Sequence, residues 1–254
     1  MNLIIDTTTD SIVFNPLSSQ GQWVNHRFGK RKVDYQLDAD SLLDYISTLD
    51  DLDHVDFISV FGDAMCYTDI EKVVKFLAKN HISSTIVTYG MGDTMLYERL
   101  SELGTYFVFK TAGIVDKVFL NTDWHILQDN LNVVKNKQIQ FYKFKHNKTD
   151  LQLLKELFNN VHEYEGDCIA GDMSNVIDEE GNWLYDVHKA DSKKQTLQKT
   201  TQGYHYLKHF VKKVKGKIIL DDPVNLILPN AQSFDMPKEV DKYLSVSGHL
   251  FNNF

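Results

Sequence analysis

Short apolar runs alternate with amphipathic stretches along the middle of the chain. The first such pair is an apolar run at 55–61, which passes through Gly62-Asp63 into an amphipathic segment at 68–80. Apolar residues at every third or fourth position predict helices, and runs rich in β-branched and aromatic residues predict strands. Further strands are predicted at 84–90, 105–112 and 139–145, and further helices at 38–49, 94–103, 123–135 and 148–161.

This alternation predicts successive βαβ units. Their crossovers are right-handed, so they build a parallel sheet or an open barrel of the α/β class. Two hairpins, at 2–14 and 21–37, are predicted ahead of the first helix because β-rich runs flank turn residues there.

The alternation stops after residue 162. The remainder predicts a smaller unit that contains β-structure, and the chain divides into a barrel at 1–165 and a C-terminal extension at 166–254 that packs on it. The predicted pieces of this extension are a hairpin at 174–187, a polar connector at 188–203, a short helix at 204–213 and a strand at 216–220.

Composition narrows the class of partner and compartment. With 254 residues, 43% of them hydrophobic, the chain can bury a sizeable core. A net charge of -8 argues against binding to nucleic acid or to anionic membranes. Two cysteines form no disulfide framework, and no apolar run approaches the roughly 20 residues that span a bilayer. Because the N-terminus also has no basic signal-peptide region, we expect a cytoplasmic protein.

Candidate ligand-binding residues lie where the predicted strands end, the edge at which α/β proteins bind ligands. The Asp63 carboxylate is suited to accept a hydrogen bond from an amine or a ribose hydroxyl, and glycines permit close approach of the backbone. The alternative interpretation is that these are ordinary loop residues of a barrel rim. The candidates are Gly62, Asp63, Thr88, Tyr89, Gly90, Lys110, His146 and Asn147.

A metal site has weaker support. His205 and His209 are four positions apart, so on a helix they would share one face. No glutamate of an HExxH motif lies between them, and no third ligand is evident. Packing or surface histidines are the default interpretation. No nucleophile elbow, P-loop or Rossmann glycine motif is present, and the sequence identifies no catalytic residue.

The order of these motifs resembles the core of the radical S-adenosylmethionine (SAM) superfamily. In that family a strand ends in Gly-Gly-Glu-Pro and the next strand ends in Thr-Asn-Gly. Here Gly62-Asp63-Ala64 and Thr88-Tyr89-Gly90 occupy those places. The segments at 123–134 and 141–158 resemble the next helix and strand–helix unit. The segment at 168–187 resembles the hairpin that opens the extension of peptide- and protein-modifying members. The resemblance implies a partial (β/α)6 TIM-like barrel.

The departures from the family concern its iron–sulfur cluster. Members hold a four-iron cluster through Cys-x3-Cys-x2-Cys after the first strand, because the cluster needs three thiolates. Residues 1–37 contain no cysteine, and Cys66 and Cys168 stand alone elsewhere in the chain. We therefore expect no iron–sulfur cluster and no radical cleavage of SAM.

Two functions agree with these observations. The first is a cluster-less, degenerate barrel that acts as a non-catalytic binding or regulatory protein and recognises a peptide or protein. The second is a non-radical enzyme whose rim pocket binds SAM or another nucleotide-like ligand, with Asp63 as the polar anchor.

Overall fold

A computed structural model describes residues 2–8, 10–14, 36–58, 62–114, 116 and 118–164, and four strand segments between 211 and 235. The strands of this part are β1 Asn2–Asp6, β2 His54–Ile58, β3 Ser83–Thr88, β4 Tyr106–Thr111, β5 Lys137–Tyr142, β6 Val161–Tyr164, β7 Val211–Val214, β8 Lys217–Leu220, β9 Val224–Ile227 and β10 Ser233–Asp235. Its α-helices are α1 Ala39–Ile46, α2 Ile70–Lys79, α3 Thr94–Glu102, α4 Trp124–Val133 and α5 Lys148–Leu157.

Six parallel strands form the body of the sheet. They follow one another in chain order from β1 to β6, and each is parallel to the next. Right-handed crossovers between strands in this order place every intervening helix on the same face of the sheet. Beyond β1 the sheet continues into parallel β9 and antiparallel β10. The predicted α/β class is confirmed, with the strand order of an open partial barrel.

Aspartates define where several helices begin. The Asp38 carboxylate accepts a hydrogen bond from the Ser41 amide at 2.8 Å, before α1. Asp93 does the same for the Met95 amide at 3.1 Å, before α3, and Asp123 for the His125 amide at 2.8 Å, before α4. Each cap satisfies an amide that has no partner within its helix, so these loops and helix starts are held in place by local sequence.

The core lies between the sheet and the helices. Phe107 and Phe109 are fully buried on this face of β4, and both rings pack on Tyr97 of α3, with centroid separations of 5.5 and 5.8 Å. Leu77 of α2 and Ile86 of β3 belong to the same cluster. Burial of each such side chain stabilises the fold by about 1.5–3 kcal/mol.

The N-terminal hairpin prediction for 2–14 is wrong. Residues 2–6 form β1, which pairs in parallel with β2 and β9. The chain then crosses the strand ends as a strap, of which residues 7, 8 and 10–14 are described, and Phe14 pairs with Leu120 across from it. The β-rich run at the N-terminus did form a strand, but its pairing partners are not the neighbouring run. Leu3 and Ile5 are completely buried, which favours a place inside the sheet over a place in a hairpin.

Two other boundaries differ from expectation. The helix predicted at 148–161 ends at Leu157, and β6 follows at Val161–Tyr164, because Asn160 hydrogen bonds to the Lys137 carbonyl and starts a new ladder. Residues 211–214 form β7, paired with β8 in an antiparallel ladder, where a helix was predicted. The Val-Lys-Lys-Val run at 211–214 is too short for its apolar spacing to distinguish a strand from a helix end. The predictions for 21–35, 174–187, Cys168, His205 and His209 lie outside the described residues.

No helix in the described part of the chain is both long and apolar enough to cross a membrane.

Gly62 holds the strap against the end of β2. A Cβ at this position would overlap the carbonyl oxygens of Thr8 and Asp10, and the Asp63 amide donates to the Asp10 carbonyl at 2.7 Å. The atoms in the way are backbone, which cannot rotate aside. The close approach that this glycine permits is therefore an approach of the chain to itself.

We expect Gly62→Ala to lower the free energy of unfolding by about 2–3 kcal/mol, because the strap must move. Gly104→Ala is the matched control: Gly104 has a φ of 88°, but a Cβ added there would have no neighbour within 4 Å, so its cost is the backbone conformation alone, about 1 kcal/mol. Chemical denaturation measures both. Equal losses in the two variants would contradict the packing role of Gly62.

Candidate functional site

The Asp63 carboxylate lies at the centre of the predicted rim. It is 3% exposed, and it joins the turn after β2 to the end of β3. One oxygen accepts from the Met65 amide at 3.0 Å, and the other accepts from the Thr88 hydroxyl and the Tyr89 amide, both at 2.9 Å. Burial raises the pKa of this carboxyl, and these hydrogen bonds oppose the rise. Both carboxylate oxygens of Asp63 thus accept hydrogen bonds from groups of its own chain.

The Thr88 hydroxyl extends this network into the helix layer. The Thr88 hydroxyl accepts a hydrogen bond from the Gly90 amide at 3.1 Å and lies 3.0 Å from the hydroxyl of the buried Tyr97. The Tyr97 hydroxyl in turn donates to the Met91 carbonyl at 3.2 Å. Gly90 has a φ of 77°, and a Cβ there would overlap the Leu127 side chain. The loop after β3 is therefore fixed by its own contacts.

Lys110 is a buried cation beside this network. It is 6% exposed at the end of β4, and its Nζ lies 5.8 Å from the centre of the Tyr89 ring. Burial lowers the pKa of the Lys110 ammonium to about 8, and the nearby negative charge of Asp63 opposes the fall. Near neutral pH this group titrates far more readily than an exposed lysine.

Three aromatic rings close the strand ends above Lys110. Tyr89 meets Phe119 edge to face at 5.4 Å, and Phe119 meets Tyr142 edge to face at 5.2 Å. Phe119 is 1% exposed and comes from the loop after β4. The mouth of the sheet over β3, β4 and β5 is thus filled by side chains, and we call this set the aromatic plug.

Asn147 joins the ends of β4 and β5. Its side-chain amide donates to the carbonyls of Ala112 at 2.5 Å and Tyr142 at 2.8 Å, and its oxygen accepts from the Phe144 amide at 2.8 Å. The neighbouring His146 ring stacks on Phe144 at 5.7 Å. Both of its ring nitrogens are buried and have no hydrogen-bond partner among the described residues.

Asp116 is a site residue that the sequence analysis missed. One carboxylate oxygen accepts from the amides of Val118 and Phe119, both at 2.8 Å, and so fixes the loop that carries the plug. The other oxygen is buried with no hydrogen-bond partner in the described part of the chain. Burial raises the pKa of the Asp116 carboxyl to about 6, and the charge of Asp150 adds to the rise. The sequence feature that could have identified Asp116 is its place in a loop two and three residues before Val118 and Phe119, where an Asp side chain can accept hydrogen bonds from the following amides.

The face of the sheet opposite the helices is polar. The parallel register places its side chains in rows, because paired residues point to the same side. Most are half-buried or exposed, whereas TIM barrels fill this space with packed apolar side chains. We call it the inner face, and its polar residues are His54, Asp56, Ser83, Thr85, Tyr106, Lys110, Gln138, Gln140 and His162.

A histidine network occupies the start of the inner face. His54 Nδ1 lies 2.7 Å from the Ser83 hydroxyl, and Nε2 lies 3.0 Å from an Asp56 oxygen and 3.1 Å from the Thr85 hydroxyl. The Ser83 hydroxyl donates to the Asp53 carbonyl at 2.9 Å. The hydrogen of the Ser83 hydroxyl is therefore directed away from His54. The network ties β2 to β3, and Ser83 and His54 are not arranged as a nucleophile with its base.

No protein-family model matches the chain, and no curated protein matches it. Among solved structures, native anSMEcpe with bound AdoMet is similar over 64% of this chain and 50% of that one, with 13% identity and a TM-score of 0.50. TYW1 with a lysine–pyruvate adduct bound is similar over 65% of this chain and 63% of that one, with 13% identity and a TM-score of 0.37. The similarity to anSMEcpe shows the fold alone: the chain has an α/β fold like that of this AdoMet-bound protein. It spans half the length of anSMEcpe.

The structure brings most of the predicted residues to one edge of the sheet. Gly62, Asp63, Thr88, Tyr89, Gly90 and Lys110 form one neighbourhood, and His146 and Asn147 lie at the end of β5. Their geometry agrees with structural roles for Gly62, Asp63, Gly90 and Asn147. Binding of a ligand by any of them stays a prediction. Groups of three or more metal-binding side chains are absent from the described residues.

Lys110 predicts a pH dependence of stability. Its pKa is depressed from 10.5 to about 8, so the unfolded chain binds more protons between these values and stability rises with pH there. We expect Lys110→Met to remove this rise, which is about 3 kcal/mol at most. Lys135→Met, at an exposed lysine, is the control and keeps the rise. Urea denaturation at several alkaline pH values measures it; parallel curves for wild type and Lys110→Met would contradict the assignment.

Proposed function

We propose that this chain is a non-catalytic binding protein on a radical SAM-like scaffold, and that its inner face holds an extended peptide segment of a protein partner. The observation that carries the proposal is the polar, accessible inner face. A barrel that only needed to fold would fill this space with apolar side chains. Polar residues at such positions add little to the packed core and keep hydrogen-bonding groups available to a partner.

Gln138 and Gln140 are the residues best suited to hold a peptide. They lie two positions apart on the inner face of β5, both half-buried, and no hydrogen bond of either side-chain amide is found in the described part of the chain. A carboxamide both donates and accepts, as a peptide group does. Residues two apart on a strand are separated by about 6.6 Å, which is also the repeat of an extended peptide lying along it.

Neighbouring strands supply the sides of this surface. In the register of the sheet, Gln138 is paired with Val108 of β4 and Gln140 with His162 of β6. Tyr106 lies one pair earlier on the same face of β4, and its hydroxyl accepts a hydrogen bond from Asn160 at 3.0 Å. An apolar position, a phenol and an exposed imidazole around two amides suit a mixed peptide sequence better than a highly charged ligand.

The strand ends support a binding role over radical chemistry. A four-iron cluster of the family type needs three thiolates, and the chain has two cysteines, neither of them in 7–36, the connection after β1. The described residues therefore do not fit such a cluster. Both oxygens of the Asp63 carboxylate, at the place of the family's acid, already accept hydrogen bonds from its own chain.

A peptide selected from a displayed random library should bind through the two glutamines. We expect Gln138→Ala/Gln140→Ala to weaken its binding by about 10- to 100-fold, because two or more hydrogen bonds are lost. Gln152→Ala, at an exposed glutamine on α5, is the matched control and should bind as wild type does. Isothermal titration calorimetry gives the affinities. The proposal would be rejected if no peptide could be selected, or if the double variant bound the peptide as tightly as the wild type does.

The second candidate is an enzyme or receptor for SAM or another nucleotide-like ligand. A solved structure of similar fold contains AdoMet, and Lys110 beside Asp63 gives the same edge of this sheet a titratable amine. If this candidate is right, SAM at 100 times its dissociation constant should stabilise the protein by about 2.7 kcal/mol in thermal denaturation.

Two measurements separate the candidates. S-adenosylhomocysteine and ATP are run beside SAM, and a rise in melting temperature with SAM that Tyr89→Ala abolishes would favour the second candidate. Iron content of the anaerobically purified protein decides the chemistry: we expect none, and four irons per chain would overturn the absence of a cluster.

A further inference from the structure

We infer that the outer edge of β6 receives an acidic extended segment of a protein partner, which joins the sheet as an added strand. β6 is the last strand on its side of the sheet, and among the described strands it pairs with β5 alone. An edge strand presents main-chain N–H and C=O groups to which another strand can pair. This edge is a separate site from Gln138 and Gln140 on the inner face, so the inference goes beyond the proposed function.

The register of β6 decides which of its main-chain groups face outward. The Ile139 amide donates to the Asn160 carbonyl at 2.8 Å, and Ile139 is paired with Val161. In a parallel ladder with this register, His162 directs its main chain toward β5. Val161 and Glu163, which alternate with it, therefore direct theirs toward the open edge. Two amides and two carbonyls are thus presented to an incoming strand, whose own main chain can pair with them.

Ion pairs and packing hold β6 in place. The Glu163 carboxylate accepts from Lys143 at 2.6 Å and from Lys155 of α5 at 2.7 Å. Val161 is half-buried and packs against Phe141 on the helix side of the sheet. Because these contacts already order the strand, a partner that pairs with it loses little free energy to ordering β6.

The end of the sheet around β6 is basic, although the protein is acidic. Residues 135–163 contain six lysines and three acidic residues, a net charge of +3, whereas the whole chain carries -8 with histidines neutral. Of these acids, Glu163 is paired with two lysines, and Asp150 is bonded to the Ile114 amide in the loop after β4. Glu156, the third, is exposed on α5. A partner with acidic side chains is therefore attracted to this edge.

Lys148 and Lys155 place two of these positive charges along the edge. They are seven positions apart on α5, so they lie two turns apart on the same side of the helix. Lys155 reaches Glu163 of β6, which identifies this side as the one that faces the edge. Lys148 is exposed and lies about 10 Å further along the helix. A strand paired with β6 runs beside these lysines, and every second side chain of it lies on their side of the sheet.

The same charges argue against a second copy of this chain as the occupant. A two-fold interface joins the same surface of both copies, so pairing of β6 with β6 would set two basic edges side by side. Like charges in such an interface weaken binding. A segment that alternates Glu or Asp with β-branched residues gains from the charge of the edge and from its own tendency to form a strand.

Binding can be measured by fluorescence polarisation with an alternating Glu-Val octapeptide labelled at its N-terminus. We expect saturable binding, and we expect the alternating Lys-Val octapeptide to bind at least about tenfold more weakly. Gln138→Ala/Gln140→Ala should bind the Glu-Val peptide as wild type does, because these glutamines belong to the other site. Equal binding of the two peptides, no binding of the Glu-Val peptide, or its loss in the double variant would overturn the inference.

Methylated peptides test strand addition without any change to the protein. In an added strand, the amides of alternate residues point toward β6 and the amides between them point toward solvent. We therefore expect N-methylation of one residue type, all Glu or all Val, to weaken binding by at least about tenfold, and methylation of the other type to be tolerated. Equal effects of the two methylated peptides would show that the segment does not add as a strand.

Variants test the edge and its charge. Val161→Pro removes an outward amide that takes no part in the ladder with β5, so the variant should fold yet bind the Glu-Val peptide at least about tenfold more weakly. Lys148→Gln should weaken binding about two- to fivefold. Lys79→Gln, at an exposed lysine on α2, is the matched control and should bind as wild type does. Unchanged binding in both Val161→Pro and Lys148→Gln would reject the site.

Sedimentation velocity of the protein alone decides between a partner segment and a second copy. We expect Val161→Pro to leave the sedimentation coefficient unchanged, because the edge of β6 is not used for self-association. A dimer of the wild type that Val161→Pro dissociates would assign the edge to a second copy of this chain and overturn the inference.

Discussion

The buried carboxylate of Asp63 is the interaction on which the strand ends depend. It receives hydrogen bonds from the turn after β2 and from Thr88 and Tyr89 at the end of β3. These bonds orient Tyr89, whose ring supports Phe119 and shelters Lys110. Since a buried carboxylate is tolerated only when its oxygens are paired, the surrounding loops are obliged to keep their positions. The Asp63 carboxylate is therefore part of the scaffold of the strand ends.

The two faces of the sheet have opposite chemistry. Toward the helices, Phe107, Phe109 and Tyr97 form a dry core that supplies most of the stability. On the inner face, amides, hydroxyls and imidazoles stand in rows set by the parallel register. The helix side thus supplies the main packed core, while much of the inner face stays accessible. The residues proposed to bind the peptide are therefore different from the residues that form the packed core.

The sequence was a good guide to elements and a poor one to roles. Periodicity predicted α2 to α5 and β2 to β5 to within a few residues, because their apolar faces are long and consistent. The first strand was misassigned to a hairpin since its partners, β2 and β9, are distant in sequence. Gly62 and Asn147 were candidates for ligand contact, but their contacts with the chain itself depend on tertiary packing. Asp116 was missed because only the fold leaves its second oxygen buried without a donor among the described residues.

The bridge between Phe14 and Leu120 bears on how the molecule assembles. It joins residues about a hundred positions apart, so its closure costs more chain entropy than any pairing between consecutive strands. Phe14, at the end of the strap, has no strand partner until β4 and the loop after it are in place. We therefore expect β2 to β5 to form first, through local βαβ contacts, and the strap to seal the strand ends as a late event on the folding pathway.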